Sequence, residues 1–335
     1  MKRTLNVKLL AGAALVVVVG GYFGLKAYAA HVADGRLRDW LFEHRLQDKI
    51  SWQSLSSSPL GGTIKLHEVR ISDGPSIAQL TLSDLKDEPA HRRADVQFDG
   101  VAFPPDAKGR STALHLPLVG GLLLASGRAE LAPFSGRLKW NVEDELADIG
   151  LTLDLPELLD VDASLSLAQV RRLAEDLSDM AENGQQVGQR GLLSSFGILG
   201  KLQQSAQRAE LKGLQVDVTD QGYFKRSLAL TRRYLPLDPT AGDFDKQRDR
   251  ALAAAHQQQR DDCLQDFQNL GTRGKDLCKG LVDLASGEED GLRVSLAPKE
   301  RVRLSDTLEV ALTAALDPAG AAGLLDRLNL ESKSL

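Results

Sequence analysis

The sequence predicts an α+β protein, with an N-terminal transmembrane helix followed by a twisted antiparallel β-sheet of about ten strands and helices packed on one face or end. Three observations predict it. An uncharged apolar run stands near the N-terminus of the 335-residue chain, apolar residues alternate with period two from Ser51 to Leu167, and spacings of three and four residues take over after that stretch.

The apolar run comes first. Met1–Lys8 is short and basic, and Leu9 to Leu25 carries no charge. At ~1.5 Å per residue this stretch spans roughly 25 Å, and Ala27–Ala30 beyond Lys26 extends it toward the thickness of a bilayer core. Residues 1–30 carry four basic side chains and no acid, leaving 37 basic against 46 acidic side chains, a net of −9, for the rest. Basic residues before the run orient the N-terminus toward the cytoplasm and the body outside it. The expectation is a single-pass signal-anchor with an exported body. A cleaved signal peptide is the alternative, because Ala27-Tyr28-Ala29 resembles a cleavage site. No N-x-S/T sequon occurs, which fits a bacterial envelope; the anchor then places the chain in the inner membrane, single-pass, with the C-terminal domain in the periplasm. An acidic body argues against nucleic acid as a partner.

Next, Arg36–Leu46 reads as a short amphipathic helix with Leu37, Trp40 and Leu41 on one face. It is either an interfacial helix, with Arg36, Arg38 and Arg45 toward headgroups, or the first packed helix of the body. The strands follow. Ile64/Leu66 and Val69/Ile71 alternate with a slip between them that suggests a bulge. The further pairs are Leu80/Leu82, Val96/Phe98, Leu114/Leu116/Leu118, Ala125/Gly127/Ala129/Leu131, Leu138/Trp140/Val142, Leu151/Leu153/Leu155 and Val161/Ala163/Leu165/Leu167. Turn signals such as Asp99-Gly100 and Pro133–Gly136 separate them. No helical crossover fits between, so the sheet is antiparallel.

Val170, Leu173, Leu177 and Met180 then step as a helix, and Gly191–Ala209 holds a second apolar helix. Leu214/Val216/Val218 return as a strand, and Tyr223–Leu235 reads as a helix stopped by Pro236. Leu292/Val294/Leu296, Val302/Leu304 and Leu308/Val310/Leu312 are further strands. Asp317-Pro318 starts a last helix with Leu324, Leu325 and Leu328 on its apolar face. The expected division is 1–30 cytoplasmic stub and signal-anchor, 31–50 juxtamembrane helix, 51–167 antiparallel β region, 168–240 helical block with a returning strand, 241–287 stapled helical hairpin, and 288–335 strands and C-terminal helix.

Cys263 and Cys278 are the only cysteines. Their spacing matches neither a redox motif nor a zinc set. In an exported body they are expected to form a disulfide worth ~3 kcal/mol in the chain-entropy model; in a cytosolic one they would be free buried thiols. The bond would staple a hairpin of Asp245–Asn269 and Lys275–Ala285, turned at Gly271/Gly274.

No nucleophile elbow, phosphate-binding loop, dinucleotide fingerprint or zinc-protease helix occurs, so no enzyme, cofactor or metal is expected. His67 and His115 lie in expected strands and read as surface residues. Asp154, Asp160 and Asp162 read as outward-facing carboxylates, and Glu288-Glu289-Asp290 as a solvated turn. Lys225, Arg226, Arg232 and Arg233 form a basic patch that suits either a solvated helix face or a lipid phosphate. The apolar sheet face needs a cover. Either the protein's own helices supply it, or Leu80, Leu82, Leu138, Trp140, Val142, Leu151 and Leu153 face lipid.

The stretch from Arg36 to Gly74 carries a resemblance. A strand at Ser51–Leu55, the segment Pro59-Leu60-Gly61-Gly62 and a strand at Leu66–Ile71 follow a membrane helix and a linker helix. In this the chain resembles the opening of AsmA/TamB-like bacterial envelope proteins over about 40 residues. The segment ALDPAGAAGLLDRLNL, after SLAPKERVRL, resembles the close of other exported β-rich families. The resemblance implies a groove-forming sheet and a role in phospholipid movement or outer-membrane homeostasis, with phospholipid as partner. Members of that family are usually longer, and the cysteine hairpin has no counterpart there. The alternative expectation is a non-catalytic envelope scaffold or assembly factor that binds another protein.

Overall fold

The structure is a computed structural model that describes residues 31–39, 41–42, 46–58, 62–72, 74–88, 91–106, 109–171, 207–238, 240, 242–307 and 318–335. The expected anchor Leu9–Leu25 lies outside the described residues. So do most of the helices expected at Val170–Met180 and Gly191–Ala209, the strand at Leu308/Val310/Leu312, and Trp40, His44 and Arg45. Among the described residues no helix is long and apolar enough to cross a membrane.

The fold is α+β, and its described strands form one antiparallel sheet. These are β1 (Ile50–Ser51), β2 (Ser54–Ser57), β3 (Thr63–Ile71), β4 (Ser76–Glu88), β5 (His91–Ala102), β6 (Phe134–Glu143), β7 (Leu146–Leu155), β8 (Leu159–Ala168), β9 (Glu210–Asp220), β10 (Gly291–Leu296), β11 (Val302–Arg303) and β12 (Leu330–Ser334). The path across the sheet is β1-β3-β4-β5-β6-β7-β8-β9-β10-β12, with β2 beside β3 and β11 beside β9. The sheet therefore has twelve described strands rather than about ten. Strands after residue 168 extend the same sheet.

The meander is built from local signals. Asp144, at φ 53°, closes the short turn that pairs Glu143 with Leu146. Glu157, at φ 62°, lies in the turn between β7 and β8. The parity slip between Leu66 and Val69 is a crease that crosses several strands. Glu68 at φ 51° and Gly100 at φ 66° flank Ala78, and the β5–β6 register shifts between Phe98 and Val101. The crease returns Val69, Ile77, Val101 and Phe134 to the face of Leu66, Leu80 and Phe98. The Phe98 and Phe134 rings meet edge to face there at 6.2 Å.

The described helices are α1 (residues 31–39), α2 (Pro117–Ala125), α3 (Tyr223–Tyr234), α4 (Phe244–Asp266), α5 (Thr272–Ser286) and α6 (Pro318–Arg327). Residues 41–42 are also helical, and Leu46 lies past the helix in a turn, so the first helix sits earlier than the expected Arg36–Leu46. Leu114/Leu116/Leu118 is not a strand. A 3₁₀ turn at Thr112–His115 leads into α2, with Pro117 in its first turn. Proline lacks the N–H that a ladder needs, and its fixed φ suits a helix start. Ala125–Leu131 is not a strand either, because Ser126 caps α2 and Gly127 turns at φ 69°. A Cβ at Gly127 would lie 2.7 Å from Leu230 of α3, so the missing side chain lets α3 approach. Leu304 begins a helical turn instead of extending β11.

The hairpin forms as α4 and α5, and Cys263 is bonded to Cys278 with Cα atoms 5.7 Å apart. Gly271 makes the turn at φ 59°, while Gly274 belongs to α5. A Cβ at Gly274 would come within 2.5 Å of the Phe267 carbonyl oxygen, which sets how closely the arms meet.

Two clusters of buried residues anchor the helices to the sheet. One joins Val142, Ala147, Leu167, Leu211 and Leu296 to Leu277 of α5 and to Leu324 and Leu328 beside β12. The other joins Leu155, Leu158 and Leu159 to Leu123 of α2, with Tyr223 and Phe224 of α3 packed against it. Both lie on the same face of the sheet, toward opposite ends of the central strands.

Candidate functional site

Directly opposed residues on neighbouring antiparallel strands share a face. The register therefore sorts the expected lipid-facing residues. One row runs Leu66, Leu80, Phe98, Gly136, Leu153, Val161. The next runs Ile64, Leu82, Val96, Leu138, Leu151, Ala163. The third passes through Ala94, Trp140, Ile149 and Leu165, and the fourth through Val142, Ala147 and Leu167. All seven expected residues thus lie on one apolar face.

They do not share one environment. Val142 is buried inside the first cluster, which corrects its reading as lipid-facing: it is part of the protein's own core. Leu80, Leu82, Leu151 and Leu153 are half-buried and belong to neither cluster. Leu138 is 36% exposed and Trp140 37%. The middle rows from β4 to β7 thus form an apolar strip between two cores, roughly 15 Å across at ~4.8 Å per strand. Its floor is shaped by Gly136. A Cβ there would lie 2.6 Å from Phe98, so the absent side chain lets the Phe98 ring lie over β6. Phe98 and Val96 had been legible only as strand residues, although their alternation already put them on this face.

The opposite face is mostly polar, with Leu146 exposed at one end of β7. Its central row reads Lys65, Thr81, Gln97, Arg137, Thr152, Asp162, Asp217, Arg293. Arg137 donates to Asp95 at 2.7 Å, and Arg293 to Asp217 at 2.7 Å. These hydrogen bonds hold the Asp95 and Asp217 carboxyls below the usual carboxylate range. Asp154, Asp160 and Asp162 lie on this face, as expected of outward carboxylates, and help line a recess of about 430 Å³ with Asp99, Asp217 and Arg137. Gln221 donates to Asp160. Among the described residues no group of His, Cys, Asp and Glu is arranged to hold a metal.

The remaining candidates are scattered. His67 lies on the polar face opposite Gln79, and His115 belongs to the 3₁₀ turn. His91 lies 3.7 Å from Glu143 at the surface. The basic patch is shared with acids: Lys225 meets Asp290 at 3.1 Å, and Arg232 meets Asp249 at 2.9 Å. Glu288 and Glu289 donate their backbone N–H groups to the Asp283 carbonyl, so the acidic run is a turn that ends α5. Near the chain's start, Arg38 stacks over Trp52 at 5.2 Å, and the Trp52 indole donates to Asp34 at 3.0 Å. That network fixes α1 to the sheet edge. It leaves Phe42, which the sequence reading passed over, 70% exposed.

No family model matches this chain, and no curated protein matches it.

Proposed function

We propose that this is an inner-membrane-anchored periplasmic protein that interacts with lipid and takes part in envelope lipid transport or outer-membrane homeostasis. The observation that carries the reading is the half-exposed apolar strip, with Leu138 and Trp140 at its most open point, on a face whose two ends are closed by packed helices. An acyl chain laid along such a strip gains ~0.8 kcal/mol for each methylene removed from water. A chain that buries about eight carbons gains ~6 kcal/mol, enough for reversible capture. The uncharged Leu9–Leu25 run and the acidic body support the anchor and the compartment. A paired cysteine bridge suits an oxidising compartment.

The test is native mass spectrometry of the full chain released from mild detergent. The expected result is a mass increment matching phospholipid, lost in the double variant Leu138→Asn/Leu151→Asn. A lipid-free chain that retains a bound envelope protein would instead support a scaffold.

A further inference from the structure

Helix α4 differs from the other arm of its hairpin in how it is held. None of its residues is buried, whereas α5 buries Leu277, Val282 and Leu284. The stripe of α4 turned toward the body, Arg248, Leu252, His256, Arg260 and Cys263, is only partly covered. At its first turns Arg232 of α3 reaches Asp245 at 3.5 Å and Asp249 at 2.9 Å, carboxylates that are 74% and 65% exposed. Ion pairs this exposed contribute little. Farther along, Arg260 donates to the buried Asp283 at 3.0 Å, and Asp283 keeps a second partner in Lys279 at 2.8 Å. Gln247 also exchanges hydrogen bonds with the Asp238 backbone at 3.1 Å, and a covalent bond joins the partly exposed Cys263 to the fully buried Cys278.

We propose that the Cys263–Cys278 bond is a redox latch for α4: its reduction frees this helix from α5 while the sheet and its two cores persist. The reductant is a vicinal dithiol. One of its thiolates attacks the Cys263 sulfur, because the Cys278 sulfur has no solvent access. The cysteine bridge breaks, and Cys278 leaves as a thiolate that takes up a proton. The second thiol of the reductant, as its thiolate, then displaces Cys263, which is protonated in turn. The protein gains two electrons and two protons, and the reductant becomes a disulfide. Losing the latch leaves α4 with its exposed ion pairs, the Gln247–Asp238 hydrogen bonds, the Arg260–Asp283 contact and a half-covered stripe. Those are weak holds for a helix with no fully buried residue.

Hydrogen exchange of the full chain, before and after treatment with dithiothreitol, tests this. Exchange across 244–266 is expected to rise about tenfold or more, with β5–β8 unchanged, as befits a local opening. The double variant Cys263→Ala/Cys278→Ala should reproduce that pattern without reductant, and Arg232→Ala alone should not. Unchanged exchange in 244–266 would overturn the proposal, because other contacts would then hold the helix. An equal rise in β5–β8 would also overturn it, because the bond would then be a staple for the whole fold.

Discussion

Trp140 and Leu123 separate the two roles that a large apolar side chain plays here. Leu123 is fully buried against Leu155 and Leu159, whereas Trp140 keeps more than a third of its surface in water. Leu123→Ala leaves a cavity and should cost ~2–5 kcal/mol in denaturant unfolding. Trp140→Ser removes a side chain that already keeps a third of its surface in water and should cost ~1–2 kcal/mol, less than Leu123→Ala. If the two variants were equally unstable, Trp140 would be core and the strip would be closed. On the other face, Asp217 shows what its ion pair contributes. Its carboxyl titrates below the ordinary value because Arg293 donates to it. The stabilisation is therefore complete above the unfolded value of about 4 and is lost as pH falls through the lower folded value. Asp217→Asn should remove this part of the acid sensitivity. Its cost at neutral pH should be ~1 kcal/mol or less, because the Arg293 side chain is 41% exposed and water screens the pair. Unfolding midpoints followed from pH 7 to pH 2 check both statements; an acid-limb slope unchanged by the substitution would contradict them.

Among the elements, the crease through Glu68, Ala78 and Gly100 keeps the β3–β4 and β4–β5 pairing in step on both of its sides. Gly100 has positive φ, and a Cβ there would lie 2.9 Å from that of Ala78. Gly100→Val should therefore destabilise by ~2 kcal/mol or more, through strain and the clash together. A neutral result in thermal unfolding would mean that the crease is soft. The crease was legible as a slip in alternation, because parity is the direct signature of which way a strand faces. Strands β6, β7 and β8 were legible for the same reason: one face is apolar, the other polar, and the turns between them are short. Helix α2 was not. Leu114, Leu116 and Leu118 alternate through the turn that leads into it, and only Pro117 argues against a strand. Strand β12 was missed because its sequence, Leu-Glu-Ser-Lys-Ser, has a single apolar residue and owes its conformation to pairing with β10. Among the site residues, the shared face followed from spacing, but which rows stay open did not. Val142 is covered because residues more than a hundred positions later, such as Leu296 and Leu324, join its cluster. No local pattern carries that information.

At the scale of the molecule, the two faces of one sheet are chemically opposite, and α2, α3, α5 and α6 pack on the apolar one. The face is closed at its two ends and left partly open between them, on a body whose preceding segment reads as a membrane anchor. A phosphatase fused after Leu335 should be active if the body is exported, and inactive if it lies in the cytosol. Photocrosslinking in intact cells asks whether the open rows hold an acyl chain. A photoreactive residue at position 140, on the apolar strip, should yield phospholipid adducts, while the same residue at position 152, on the polar face, should not. Adducts at neither position, or equally at both, would mean that the strip is not an acyl-chain site.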